Sequence, residues 1–416
     1  MHRQGNCLET DPLTICCAHS TPGRSGSVIY FALFFTYFLK HETYFSAMSP
    51  YIMERFPTSA DQMILAAQIA SPFGTLLAGY VSDKTRLLRF PLVVSLLGFG
   101  VSQVVFFAPI PEFGVFAATV LLRIFLSGSG QLIIISCLEA GSGRFARART
   151  AGTVGFCAIQ LVLFWVETSG VIRHSSPAVF AQYAAVFHVL TAIFALGVPV
   201  HRRSHEEYHF RAAARRMVEP RVLIFFALSF VFYGCYQLVD YYLGRFLQLK
   251  GGMGQVYLGW GFSVLFEIAL MPFTALIFEK FPARFLFLVS LAAGLGRFLW
   301  LYLAVDNESM PPYLSQLLHG LHFTGFYTAA IYLLQRVFPP HLYGTGHALY
   351  TVVAASAGGI TGNLLTGMLL GAGPGALEFA PVFALAVILH VSLLAVFFFV
   401  PLPQTIRSFS IPYASK

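Results

Sequence analysis

Twelve stretches of about 20 mostly apolar residues follow one another along this chain, and that succession limits its folds more than any other feature. They fall at 28–53, 61–81, 90–109, 113–136, 150–168, 178–200, 221–244, 255–278, 284–305, 312–337, 343–370 and 377–402. Each is long enough to cross the hydrocarbon of a bilayer as a helix. Inside lipid a backbone N–H or C=O finds no water, so a crossing segment must satisfy these groups itself, as a helix does. The prolines and glycines inside several stretches are tolerated where neighbouring helices re-satisfy the freed groups. Composition agrees, with 57% of residues hydrophobic and only 11% charged, against about a quarter charged in an ordinary soluble domain. The expected fold class is an all-α polytopic membrane protein with twelve transmembrane helices.

The connections are short except for HRRSHEEYHFRAAARRMVEP at 201–220, a basic, His-rich linker that divides the spans into two groups of six. The expected organisation is therefore a disordered tail over 1–26, a six-helix bundle over 27–200, the linker, a second six-helix bundle over 221–403 and a tail over 404–416. Two similar stretches support an internal duplication: DKTRLLRFPLVVSLLG (83–98) and EKFPARFLFLVSLAAG (279–294) occupy matching places in the two halves. Lysine and arginine set the orientation. With the N-terminus inside, nineteen of the 26 fall on the cytoplasmic side, four on the other, and Lys40, Arg123 and Arg297 inside spans. Both termini are expected to be cytoplasmic, in the cell (inner) membrane.

The net charge of +8 does not point to nucleic acid, because the positive residues sit in short loops between apolar runs and not on a soluble basic face. Six cysteines are scattered without CxxC pairing, and Cys16-Cys17 lacks an apolar signal region before it. No GxxxxGK[ST] phosphate loop, GxSxG elbow or HExxH pair occurs. The chain is accordingly expected to be no enzyme, to need no cofactor or metal, and to work as a monomer in the lipid bilayer on a small-molecule substrate and protons.

Gly79-Tyr-Val-Ser-Asp83-Lys84-Thr-Arg86-Leu-Leu-Arg89 lies between the second and third spans. It resembles the G-x-x-x-D-[RK]-x-G-[RK]-[RK] loop of the major facilitator superfamily, with Arg86 in place of the second glycine. The resemblance implies a fold of two pseudo-symmetric six-helix bundles, and a conformational latch made by Gly79, Asp83, Lys84, Arg86 and Arg89. Arg149-Thr-Ala-Gly152-Thr-Val-Gly155-Phe156 is similar to a stretch of the lactose permease and phenylpropionate transporter group. There the arginine binds substrate and the aromatic ring stacks on it, so the resemblance gives Arg149 and Phe156 those roles. In the second half, Asp240, Glu267, Arg297 and Gln316-Leu-Leu-His319-Gly-Leu-His322 stand where that group joins substrate binding to proton movement. Gln316 replaces a lysine, and His322 replaces a carboxylate. Glu139 is similar to a substrate-binding acid of the group, and Arg123 lies in a stretch like the superfamily's R-x-x-x-G.

The residues carry a reading of their own. A charge near the bilayer centre costs several kcal/mol, so intramembrane charges face a polar cavity and pair with one another. Glu267 and Arg297 are opposite charges on consecutive helices. Gln316, His319 and His322 recur every third residue and share one helix face, where two imidazoles either relay protons or pack as hydrogen-bonded neighbours. Lys40, His41 and Glu42 are successive residues inside the first span, pointing about 100° apart, so each needs a partner on another element. They are expected to bind substrate or to tether helices. Gly358-x-x-x-Gly362 and Gly367-x-x-x-Gly371 allow close helix packing.

The expected function is that of a secondary active transporter moving a small polar or anionic solute by alternating access, coupled to protons. Its substrate set is Lys40, His41, Glu42, Arg123, Glu139, Arg149, Phe156 and Gln316. Its proton-coupling set is Asp240, Glu267, Arg297, His319 and His322. The alternative is a transporter-like membrane sensor or scaffold that signals without moving solute.

Overall fold

The computed structural model describes residues 24–139, 142–170, 186–201, 210–273, 277, 280–338, 346–371, 374–400 and 402, without the side chains of 24–27, 40–44, 83, 138–139, 142–146, 210 and 272. The first half contains α1 (Arg24–Arg55), α2 (Ala60–Thr85), α3 (Arg89–Phe106), α4 (Glu112–Glu139), α5 (Ser142–Ser169) and α6 (Val186–Ala195). A short helix α7 (Phe210–Met217) lies within the expected linker and leads into α8 (Pro220–Ser263) and α9 (Leu265–Leu270). The chain closes with α10 (Ala283–Ala304), α11 (Leu317–Val337), α12 (Ala357–Leu370) and α13 (Ala380–Phe399). Each of the twelve expected spans overlaps a helix among the described residues, which contain no strand, only one isolated bridge between Leu87 and His201. The expected tails lie outside the described residues except for 24–26, where α1 has already begun.

One helical stretch, Pro220–Leu270, is 51 residues long. At about 1.5 Å per residue that is far more than one bilayer crossing, so it must hold two. The break is at Gly251 and Gly252, and Gly252 takes φ 75 and ψ −175, a conformation open essentially to glycine alone. The chain folds back there, because a Cβ on Gly259 would lie 2.9 Å from Leu247 Cδ1. The expected ten-residue connection between spans seven and eight is in fact helix on both sides of a two-glycine turn.

In each half an arginine at the start of the third helix ties down the end of the sixth. Arg89 Nε donates to the Val198 carbonyl at 2.7 Å, and Arg284 Nη2 donates to the Val400 carbonyl at 2.6 Å. A cation at a helix C-terminus meets the negative end of the helix dipole and the carbonyls left without intrahelical partners. Arg86 ends α2 in the left-handed region, at φ 54 and ψ 22, and is the one non-glycine residue with positive φ among the described residues. It holds the backbone turn for which a glycine is the low-cost residue, although the side chain has changed.

Small residues fix the helix contacts. A Cβ on Gly362 would lie 2.0 Å from the Gly234 carbonyl oxygen, which brings α12 against α8 backbone to backbone. Gly155 would collide in the same way with the Phe35 carbonyl oxygen at 2.5 Å, so α5 lies against α1. Span eleven also contains a π-helical turn over Thr351–Ser356, just before α12. The two halves meet where α1 and α5 pack on α8, and where α2 packs on α12. Beside that second contact Tyr242 of α8 donates to Asp61 of α2 at 3.1 Å, and a Cβ on Gly367 of α12 would lie 3.2 Å from Asp61 Cγ.

Candidate functional site

A cavity of about 210 Å³ lies where the halves meet. Its wall takes Phe38 and Phe45 from α1; Arg149, Thr153 and Phe156 from α5; Tyr236, Trp260 and Ser263 from α8; Glu267 from α9; and His319 and Phe323 from α11, with Val264 between α8 and α9. The R-x-x-G-x-x-G stretch places its residues for a steric reason. Gly152 and Gly155 let α1 approach closely, a Cβ at Gly152 meeting Phe38 Cδ2 at 2.5 Å. That approach lays the Phe38 ring under the Arg149 guanidinium, 4.4 Å from its centre, a cation–π contact.

Arg149 reaches across to the second half and pairs with Glu267, Nη2 to Oε1 at 3.2 Å. Thr153 donates to the same carboxylate oxygen at 2.8 Å, and Thr324 donates to Oε2 at 3.4 Å. Glu267 is 5% exposed, so this is a buried carboxylate held by one cation and two hydroxyls from two helices, α5 and α11. The opposite charges expected on consecutive helices do not form the pair. Arg297, fully buried, pairs with Asp240 at 2.5 Å, and the same Nη2 reaches Gln316 Oε1 at 3.2 Å. His319 stands between this pair and the cavity, with Nε2 3.3 Å from the Tyr236 hydroxyl and Nδ1 3.7 Å from Asp240 Oδ2.

The face shared by Gln316, His319 and His322 therefore serves three surroundings. Gln316 holds Arg297, and His319 lines the cavity. His322 lies a turn further on, away from the cavity, its Nε2 2.9 Å from Nε2 of His390. His390 continues through Nδ1 to Cys235 Sγ at 2.9 Å, and Gly294 leaves the room for both rings, a Cβ there meeting them at 2.5 and 2.6 Å. Sequence reasoning missed His390, Cys235, Tyr236, Trp260 and the two threonines. Only His390 left a signal, as a lone histidine inside the very apolar run 376–399.

Arg123 is buried on α4 with its guanidinium 5.6 Å from the Tyr241 ring, outside the cavity wall. Phe156 is in the wall, 9% exposed. Lys40, His41 and Glu42 lie on α1 and Glu139 ends α4, but their side chains are outside the described residues, as is that of Asp83. Of the other loop residues, Gly79 is buried, Lys84 lies 5.5 Å over the Tyr80 ring, and Arg89 holds Val198 as described. Among the described residues no group of three or more His, Cys, Asp and Glu side chains is placed to hold a metal ion.

The profile of the MFS_1 like family matches residues 30–380. No curated protein matches the chain in sequence. Among solved structures, the chain is similar to the nucleoside transporter NupG, with TM-score 0.73 and 15% identity over 90% of this chain and 100% of that one. It is similar to a POT family transporter in complex with a thioalcohol conjugated peptide, with TM-score 0.67 and 12% identity over 89% of this chain and 96% of that one. It is also similar to a D-xylose-proton symporter, with TM-score 0.64 and 15% identity over 91% of this chain and 98% of that one. Identities this low show a shared fold.

Proposed function

Because the chain belongs to the MFS_1 like family, whose profile covers residues 30–380, we propose that it is a secondary active transporter that moves a small polar or anionic solute across the membrane by alternating access, coupled to protons. The observation that carries this reading is the Arg149–Glu267 pair. It joins α5 of the first half to α9 of the second inside the wall of the cavity between them. Rocking of the halves must break it, and breaking it without compensation leaves the buried Glu267 carboxylate unpaired at great cost. A proton on Glu267 removes the charge that Arg149 would leave behind, so protonation and opening are linked. The solved relatives carry nucleosides, a peptide conjugate and D-xylose in their names, and one of them is called a proton symporter.

Within this scheme Glu267 is the coupling carboxylate and Arg149 its partner, while Asp240, Arg297, Gln316 and His319 form the polar wall behind them. His322 takes part through His390. Phe156 and the substrate set assigned above, Lys40, His41, Glu42, Arg123 and Glu139, complete the assignment, with Gly79, Asp83, Lys84, Arg86 and Arg89 as the latch. The excess of lysine and arginine on one side supports cytoplasmic termini in a cell (inner) membrane.

Glu267→Gln in proteoliposomes tests the scheme, with labelled uridine, D-xylose, benzoate and nicotinamide as solutes. The variant should lose proton-driven accumulation of whichever solute the native protein takes up, and keep exchange of that solute at equal concentrations. Full accumulation by the variant under an intact proton gradient would sink the assignment.

A further inference from the structure

The cavity wall narrows the solute, and this step rests on the transport reading above. Of the residues lining it, Phe38, Phe45, Phe156, Tyr236, Trp260 and Phe323 are aromatic. Among the described residues, each formal charge that the wall presents is answered within the protein. Arg149 is paired with Glu267 and leans on Phe38, and behind the wall Arg297 is paired with Asp240. A bound anion would have to take Arg149 from Glu267, and a bound cation would have to take Glu267 from Arg149. With Glu267 ionised, the first exchange strands a buried carboxylate, which is strongly unfavourable, and the second leaves a half-buried guanidinium without its partner.

Size adds a second limit. The cavity is about 210 Å³, below the range of about 300–1,000 Å³ typical of pockets for drug-sized ligands. An apolar cavity of about 150 Å³ is enough to hold benzene, so the space here suits one ring system with small substituents. A polar edge is available at one end of the wall. His319 Nδ1 faces Asp240 Oδ2 at 3.7 Å without a hydrogen bond among the described residues, and the Tyr236 hydroxyl lies 3.3 Å from His319 Nε2. The hydroxyls of Thr153 and Ser263 are spent on Glu267 and on the Trp260 carbonyl, at 2.8 and 2.6 Å.

We propose that the transported solute is a compact, net-neutral, flat aromatic or heteroaromatic molecule, held between the rings of α1, α5, α8 and α11 with its polar edge toward His319 and Tyr236. Ring faces supply most of the affinity, because stacked or edge-to-face aromatic pairs add to the burial of apolar area and involve no charge. The ion pair in the wall stays closed while such a solute enters.

Counterflow in proteoliposomes of the full chain, with melting in detergent as a parallel reading, separates the classes. Nicotinamide and uracil serve as flat neutral probes, benzoate as a flat anion and D-xylose as a neutral non-aromatic solute. The flat neutral probes should exchange fastest and raise the melting temperature most. Phe156→Leu keeps apolar volume and removes a ring, and should weaken exchange of the flat neutral probes by roughly three- to tenfold with little change in melting temperature. His319→Gln should weaken nicotinamide more than it weakens toluene binding read by melting, since toluene has no polar edge. Preferred exchange of benzoate or D-xylose would overturn the solute class and leave the transport reading standing. Exchange of none of the probes by a protein that melts normally would overturn the class and count against transport itself.

Discussion

Asp240→Asn isolates the most deeply buried charge pair among the described residues. Arg297 is 0% exposed and Asp240 2%, and their contact is 2.5 Å. Two further nitrogens of Arg297, Nε and Nη1, have no acceptor among the described residues, and the guanidinium otherwise rests on the Phe298 ring at 5.1 Å and the Tyr236 ring at 5.9 Å. Asparagine keeps the size of aspartate but removes its charge, so Arg297 retains only amide oxygens, among them Gln316 Oε1 at 3.2 Å. Removing one partner of a buried pair costs about 3–5 kcal/mol, whereas replacing both with neutral groups of similar volume is close to neutral. Arg297→Gln should be comparably damaging, and the double variant Asp240→Asn/Arg297→Gln should recover most of the loss. At roughly 2–4 °C per kcal/mol for a unit of about 150–250 residues, each single variant should melt at least about 6 °C below the native protein. Melting followed by tryptophan fluorescence in one detergent reads all four proteins side by side. A single variant that melts like the native protein, or a double variant as unstable as the sum of the singles, would refute the reasoning.

Arg86→Gly should be neutral or stabilising by up to about 1 kcal/mol, because glycine takes the left-handed turn without strain but adds freedom to the unfolded chain; Arg86→Val should cost about 1–2 kcal/mol in the same melting assay. Gly362→Ala places a methyl 2.0 Å from a backbone oxygen and should lower stability by about 1–3 kcal/mol. Gly296→Ala meets only the flexible end of Leu318 at 3.2 Å and should be tolerated. Tyr242→Phe removes the hydroxyl that joins α8 to Asp61 of α2 across the halves, a bond to a charged group worth about 1.5–3 kcal/mol; labelling of a cysteine introduced at Asn307 and one at Thr85 should shift in opposite directions if this contact biases the open and closed states.

The apolar helical spans were legible in the sequence because lipid makes backbone satisfaction a local matter, decided within each apolar run. The glycine turn at Gly252 and the close approaches at Gly155 and Gly362 were visible as residue types, though not as particular contacts. Arg86 illustrates the difference: the motif loses its glycine, but the backbone keeps the left-handed turn, since the helices on either side demand it. The charged residues of the site were equally easy to find, and their partners were not. Glu267 and Arg297 look like a pair when the chain is read in order, but Glu267 is held by Arg149 and Arg297 by Asp240. Periodicity states which residues share a face of one helix; which neighbour that face meets depends on how the helices are rotated and tilted together. That arrangement alone split Gln316, His319 and His322 among three surroundings, brought His390 to His322, and ringed the cavity with aromatic side chains whose sequence positions look like ordinary lipid-facing residues.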